Sequence, residues 1–296
     1  MATAPRASDD AALVSTLLRW FDRHERPLPW RSTTPWGVLV SEFMLQQTPV
    51  DRVLPVWQAW MDRWPTPADL AAAPTGDALR AWGRLGYPRR AQRLHLTARV
   101  IVDEHGGQVP SDAESLRALP GVGEYTAAAV QAFAFQRRAV VLDTNVRRVV
   151  ARSVHGVAQP TAHLTAAERT RADALWPRTH QRSARWSAAV MEFGALVCTA
   201  RAPACAECPV RATCRWTLAG QPAAPSPTRR QAEYTGSDRQ ARGRIMAVLR
   251  DSAGSVPPSA IEAVWPDAAQ RDRALAALLA EGLVRRAPRG RFALPD

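Results

Sequence analysis

Apolar residues recur at helical spacing along most of this chain. Leu13, Leu17, Trp20 and Phe21 share one face of a helix predicted over 11–24. A second helix is predicted over 36–48, after Pro35, and a third over 49–64 with Val53, Val56, Trp57 and Trp60 inward. Several shorter helices follow between about 68 and 104. Ser111 and Glu114 have capping-box spacing and predict a short helix through Leu116 and Ala118. The turn LPGVG (119–123) comes next, then a helix from Glu124 carrying Tyr125, Ala129, Val130 and Phe133. Helix, glycine-flanked turn and helix make a hairpin. Residues 139–142 (AVVL) predict a short strand, and 143–152 a helix with Asp143 at its start.

The pattern changes after residue 218. Residues 219–236, with Pro222, Pro225 and Pro227, read as a linker. The tail, 237–296, is a separate small unit. Ile245, Val248 and Leu249 mark one helix, Ile261, Val264 and Trp265 a second, and Leu275, Leu278 and Leu279 a third that Gly282 ends. Residues 283–286 and 291–294, joined by a Pro-Arg-Gly turn, predict a β-ribbon. Three helices and a ribbon predict a winged-helix-like α/β module.

Charge narrows the function. The formal net charge is +12 and the isoelectric point about 11.1, which favours a polyanionic partner such as nucleic acid over a merely solubilised surface. All 39 basic residues are arginine, so no side chain can form a Schiff base through an ε-amine. No apolar run is long enough to cross a membrane, and residues 1–10 show no signal-peptide core. The expected setting is cytoplasmic.

All four cysteines, Cys198, Cys205, Cys208 and Cys214, fall in one loop with the spacing C-x6-C-x2-C-x5-C. Two disulfides suit a small secreted domain, which this is not. Tetrahedral zinc favours two short C-x2-C pairs, and only Cys205 and Cys208 form one. Four thiolates in one loop suit a [4Fe–4S] cluster. The LPGVG turn lets the backbone at Gly121, Val122 and Gly123 approach a partner, with free N–H groups of the following helix facing an anion such as a duplex phosphate.

The LPGVG hairpin, the segment VLDTNVRR and the cysteine loop, in that order, resemble the helix–hairpin–helix base-excision glycosylases that carry a [4Fe–4S] loop. LPWR (28–31), SEFMLQQTPV (41–50) and LGYPRR (85–90) resemble the adenine DNA glycosylases among them, the MutY family. The resemblance covers about residues 11–216. It implies an all-α, two-lobed fold with a cleft between lobes. One lobe spans 34–142 with the hairpin, and the other joins 1–33 to 143–218 with the cluster.

The resemblance also implies site roles. Glu42 is the catalytic acid and base, and Asp143 the second essential carboxylate. Glu42 alone reads as a solvated helix residue, and Asp143 alone as a helix N-cap. Breaking an N-glycosidic bond needs a proton on the departing base and stabilisation of a cationic sugar, which two carboxylates in unlike surroundings supply. Tyr125 stands where bifunctional, endonuclease III-like relatives carry an attacking lysine, which implies base removal with little or no lyase activity. Trp30, Arg31, Leu45 and Glu192 line the adenine pocket, although Trp30 alone reads equally as core. Gln47 and Tyr87 wedge into the duplex, and Arg201 meets phosphate. The implied partner is double-stranded DNA holding adenine opposite 8-oxoguanine or guanine, bound by a monomer beside the bacterial nucleoid.

The sequence departs from the family in two places. Residues 237–296 do not resemble the MutT-like domain that reads 8-oxoguanine, and Pro88 stands where a second aromatic is common. Two other readings remain open at this point: an endonuclease III-like glycosylase for oxidised pyrimidines, and a non-enzymatic iron–sulfur DNA-binding regulator.

Overall fold

The computed structural model describes residues 7–224 and 233–296, with side chains from residue 9 onward. Part of the expected linker, 225–232, lies outside the described residues. The chain divides into two compact units. The first holds the described residues up to Pro35, then Ser111–Ala113 and those from Gly123 to 224. The second holds Trp36–Pro110, Glu114–Val122 and 233–296. The boundary between residues 122 and 123 falls inside the hairpin, rather than at 142–143.

In the first unit, α1 (Ala7–His24) packs on α11 (His180–Leu196), and α11 packs on α8 (Glu124–Phe133) and α9 (Thr144–Ser153). Leu17, Phe21, Val146, Trp186, Val190 and Phe193 form the core, each almost fully buried, and α10 (Ala166–Leu175) adds Ala172 and Leu175. Ala129 and Ala132 of α8 meet Ala184 of α11 in a second, small-residue core. That close packing is why α8 groups with the cysteine-bearing unit. Residues 139–142 form no strand, because among the described residues no second strand pairs with them. Val141 is buried as an extended segment instead.

In the second unit, α2 (Pro35–Leu45) is buried nearly all round and α3 (Val50–Arg63) covers it. Indole N–H groups lock the pair: Trp57 Nε1 donates to Gly37 O at 2.9 Å, and Trp36 Nε1 to Trp64 O at 3.0 Å. Trp60 meets Trp64 and Trp82 edge-on, with centroids 4.9 and 5.6 Å apart. The helices α4 (Pro67–Ala72), α5 (Thr75–Trp82) and α6 (Arg89–His105) complete the bundle. The hairpin's first helix, α7, runs Ala113–Ala118. It starts one residue later than the capping-box frame requires, so Asp112 rather than Ser111 precedes it.

The tail folds as expected in order. The helices are α13 (Asp238–Asp251), α14 (Pro258–Glu262) and α15 (Ala268–Ala280), and β1 (Arg285–Ala287) pairs antiparallel with β2 (Arg291–Ala293). The short helix before them, α12 (Arg215–Leu218), belongs to the first unit. The second tail helix ends before Val264 and Trp265, which lie in the following turn. Val256, between α13 and α14, bridges Phe292 through two backbone bonds of 2.7 and 2.9 Å, adding a third short rung. Helix, rung, helix, helix, strand, strand is the winged-helix order. Gly282, at φ +68°, ends α15, and Leu283 N–H reaches back to Leu278 O at 3.0 Å.

The tail seats on α5 of its own unit. Gly76 N–H donates to Pro295 O at 2.8 Å, and Leu294 is buried. A Cβ at Gly76 would lie 2.6 Å from Pro295 O and 3.1 Å from Leu294 Cβ. Gly76→Ala is therefore expected to lower stability by about 1 kcal/mol, because overpacking of roughly 1–3 kcal/mol outweighs alanine's better helix propensity. A chemical melt of the two proteins checks this, and an equal or raised midpoint would show that the contact yields freely.

Candidate active site and cysteine loop

Glu42 lies on the eighth residue of α2 and is 5% exposed. The apolar run around it, Phe43 and Met44 included, is buried, so a carboxyl group is held within an apolar helix. Leu45, half-buried, ends α2. Gln47 follows in a left-handed conformation, φ +57°, and is exposed. Tyr87 is also left-handed, φ +48°, and 50% exposed. Both expected wedge residues are thus exposed at strained turns of the second unit.

The hairpin turn is pinned from α6, where Thr97 Oγ1 donates to Pro120 O at 2.6 Å. Gly121 has φ +84°, and a Cβ there would meet Phe43 and Arg93 at 3.0 Å. No other residue type fits that position without displacement. Val122 is buried, so only its main chain can face a ligand. Gly123 occupies the N-cap of α8 with open space at its Cα. Tyr125, in the first turn of α8, is half-buried against the small-residue core.

Asp143 caps α9. One carboxylate oxygen accepts from Val146 N–H at 2.6 Å, the other from Asn145 Nδ2 at 2.9 Å. Burial pushes its pKa above the ordinary value, and the Val146, Asn145 and Arg148 groups offset only part of that push. Asn145 in turn accepts from Arg148 Nη2 at 2.8 Å. Arg148 also donates to Gly194 O at 2.7 Å and to Cys198 O at 2.8 Å. A continuous hydrogen-bonded chain therefore runs from Asp143 through Asn145 and Arg148 to the start of the cysteine loop.

Trp30 lies in a single 3₁₀ turn, Pro29–Arg31, and is buried at 8% exposed. Glu192, on α11, is 3% exposed and fully engaged. Arg26 forks onto both oxygens at 2.7 and 2.8 Å, and Arg31 Nη2 approaches Oε2 at 3.2 Å. Burial works against its charge, but the two guanidinium groups outweigh it and hold the carboxyl below the usual range. Glu192 therefore fixes Arg31, which also lies over the Phe21 ring at 5.0 Å.

The four cysteines line one cavity together with Val149, Arg152, Phe193, Pro203 and Trp216. Cys198 follows α11, and Cys214 caps α12. Arg152 Nη1 lies 3.5 Å from Cys198 Sγ. The same guanidinium holds Thr199 O, Ala200 O and Ala158 O and stacks on Trp216 at 4.6 Å. As a thiol, Cys208 is pushed up to about 11 by burial, so a metal centre bound there must displace its proton. Among the described residues no group of three or more cysteine, histidine or carboxylate side chains is arranged to hold a single metal ion. Arg201 is exposed on the same loop.

Sequence patterns pointed to Asp143 and the cysteines but not to Arg26, Asn145, Arg148 or Arg152. One signal was available for the last two. Arg148 and Arg152 stand four apart on α9, on a face shared with buried Val149, and solvated arginines would not share that face.

The HhH-GPD superfamily of base excision DNA repair proteins matches residues 40–172. An adenine DNA glycosylase of Mycobacterium tuberculosis is 52% identical over 99% of this chain and 95% of its own length. That of Mycolicibacterium smegmatis is 52% identical over 94% of each. The human adenine DNA glycosylase is 40% identical over 69% of this chain but only 39% of its own. Among solved structures, a thermostable thymine-DNA glycosylase superposes with a TM-score of 0.66 at 28% identity, covering 72% of this chain and 98% of that one. An endonuclease III bound to DNA superposes at 0.63 with 23% identity, covering 74% and 99%, and so shares the fold. No described helix is long and apolar enough to cross a membrane. Identity of 52% over nearly the whole chain shows that it belongs to the HhH-GPD base excision repair superfamily and, within it, to the adenine DNA glycosylases.

Proposed function

We propose that this enzyme hydrolyses the N-glycosidic bond of adenine mispaired with 8-oxoguanine or guanine, and that it does so without an amine nucleophile. The observation that carries the reading is the contrast between two carboxyl groups. Glu42 is buried on a helix whose neighbouring residues are apolar. Asp143 is held in one orientation by two hydrogen bonds, although burial raises its pKa. In this reading Glu42 gives its proton to the departing adenine and then takes one from water. Asp143 and Tyr125 stabilise the positive charge that develops on the sugar. Trp30 and Leu45 pack on the extruded base, and Arg31, oriented by Glu192, meets its polar edge. Gln47 and Tyr87 fill the space the base leaves. Gly121, Val122 and Gly123 present main-chain groups to phosphate, and Arg201 adds a side-chain contact.

Cys198, Cys205, Cys208 and Cys214 would hold a [4Fe–4S] cluster. The fit rests on four sulfurs around one cavity, with Arg152 beside one of them. When bound, the cluster supplies a rigid frame to the loop rather than a reacting group. The protein would act as a monomer on double-stranded DNA, in a bacterial cytoplasm beside the nucleoid.

Alkali-revealed cleavage of an adenine:8-oxoguanine duplex tests the core of this reading. Wild type should release adenine, and Glu42→Gln should slow release about 10²- to 10⁴-fold while leaving duplex binding intact. Absence of adenine release from the wild-type protein would overturn the proposal.

Asp143→Asn separates chemistry from stability. Asparagine can still accept the Val146 bond, yet base release should fall about 100- to 1,000-fold. The raised pKa means the folded protein binds the Asp143 proton more tightly than the unfolded chain does. The penalty of burying the charge is therefore absent below the ordinary aspartate pKa and complete above the raised value. The variant should melt higher than wild type at pH 7, with the gain vanishing as pH falls through that window. A gain that grew towards low pH would contradict the burial argument.

Lyase chemistry is open to a direct trap. With the N-terminal amine blocked, borohydride should capture no covalent protein–DNA adduct, because no lysine is present.

A further inference from the structure

Arg90 is the second arginine of LGYPRR and is 6% exposed, inside the second unit. Its Nη1 donates to Phe43 O and Met44 O, each at 3.0 Å, and to Gln46 O. Its Nη2 donates to Thr48 Oγ1 at 3.0 Å, Gly86 O at 3.1 Å and Leu85 O at 3.3 Å. The first four partners belong to the end of α2 and the turn that carries Gln47. The last two belong to the turn that carries Tyr87. The guanidinium also lies 5.4 Å from the Tyr87 ring and 5.2 Å from that of Trp82. One buried cation thus holds Gln46 O and Thr48 Oγ1 on either side of left-handed Gln47, and the two carbonyls that precede left-handed Tyr87.

We propose that Arg90 is the positioning residue for the duplex wedge: it clamps the Gln47 and Tyr87 turns together in their strained conformations, so that both side chains are set before DNA arrives. The inference rests on the wedge assignment made above. Strain of this kind persists only where the surroundings over-determine it. Six acceptors on one planar fork provide that over-determination, and preorganisation lowers the cost of ordering two turns at the moment of base extrusion. Burial pushes the Arg90 pKa down to about 10, so it keeps its charge at neutral pH. Tyr87 follows Gly86 and precedes Pro88, a placement that disfavours the right-handed helical alternative for Tyr87.

The test compares Arg90→Lys with a core control, Ile101→Val, in the same helix, matched for loss of melting temperature. Each is assayed under single turnover on two adenine:8-oxoguanine duplexes. In one the target adenine is stacked in an otherwise paired helix. In the other it lies in a bubble of unpaired neighbours, where a wedge has little left to do. A lysine ammonium cannot serve six acceptors, so Arg90→Lys should slow release about tenfold or more on the stacked duplex. It should recover to within about twofold of wild type on the bubble. Ile101→Val should not distinguish the two. Equal losses on both duplexes, or none, would overturn the proposal while leaving the glycosylase reading intact. Failure of the wild type on both would sink the glycosylase reading itself. A second readout is coupling. In a Tyr87→Ala, Gln47→Ala background the further effect of Arg90→Lys should disappear, and a fully additive loss would count against the clamp.

Discussion

Buried guanidinium groups hold the working parts of this protein in shape. Irregular backbone leaves carbonyl oxygens without ladder partners, and a buried carbonyl must find a donor or cost stability. Three arginines meet that need here: Arg90, Arg148 and Arg152, at 6%, 8% and 3% exposure. Each collects main-chain oxygens from a segment that is neither helix nor strand. Arg90 closes the turns at 46–48 and 85–87, Arg148 ties the end of α11 to the cysteine loop, and Arg152 fastens the loop's first residues and the 158 turn. Charge that looks on paper like a nucleic-acid footprint is partly spent inside the protein.

Carboxylates are arranged by the opposite logic. Glu192 is buried but surrounded by Arg26 and Arg31, and its charge is kept. Asp143 is buried with weaker compensation, and its pKa rises. It nevertheless caps α9 with a short bond to Val146, so on the proposed mechanism one side chain would both start a helix and serve as the second carboxylate. Such double use would tie the helix start to the proposed chemistry. Its link through Asn145 and Arg148 to Cys198 extends that tie to the cysteine loop, so displacing the loop displaces the carboxylate's hydrogen-bond partners.

What the sequence made legible follows from what periodicity can see. Helices with a clean apolar stripe, such as α1 with Leu17 and Phe21 or α8 with Ala129 and Val130, were placed within a few residues. The winged-helix order of the tail was readable because Gly282 and the Pro-Arg-Gly turn punctuate it. The AVVL segment was misread as a strand because β-branched residues suit any buried extended backbone, and only a partner makes a ladder. The start of α7 slipped by one residue because Ser111 and Asp112 are both good caps. The buried arginines were invisible for a deeper reason: a polar residue in a helical pattern is assigned to solvent, and nothing local in the sequence shows that carbonyls converge on it.

The absence of lysine then has structural as well as catalytic weight. A guanidinium offers five donors in a plane and can face several carbonyls at once, whereas an ammonium is a point charge. Protonation adds to the difference. Burial brings Arg90 down to about 10, still safely charged. A lysine begins roughly two units lower, so the same burial would bring it close to neutral pH and tend to strip the charge that holds the carbonyls. Arginine bias in composition could have arisen for reasons unrelated to folding. Once present, it permits loops rich in unpaired carbonyls to be cross-braced by cations that stay ionised inside, and in this enzyme the expected wedge, the capping carboxylate and the cysteine cavity each touch such a brace.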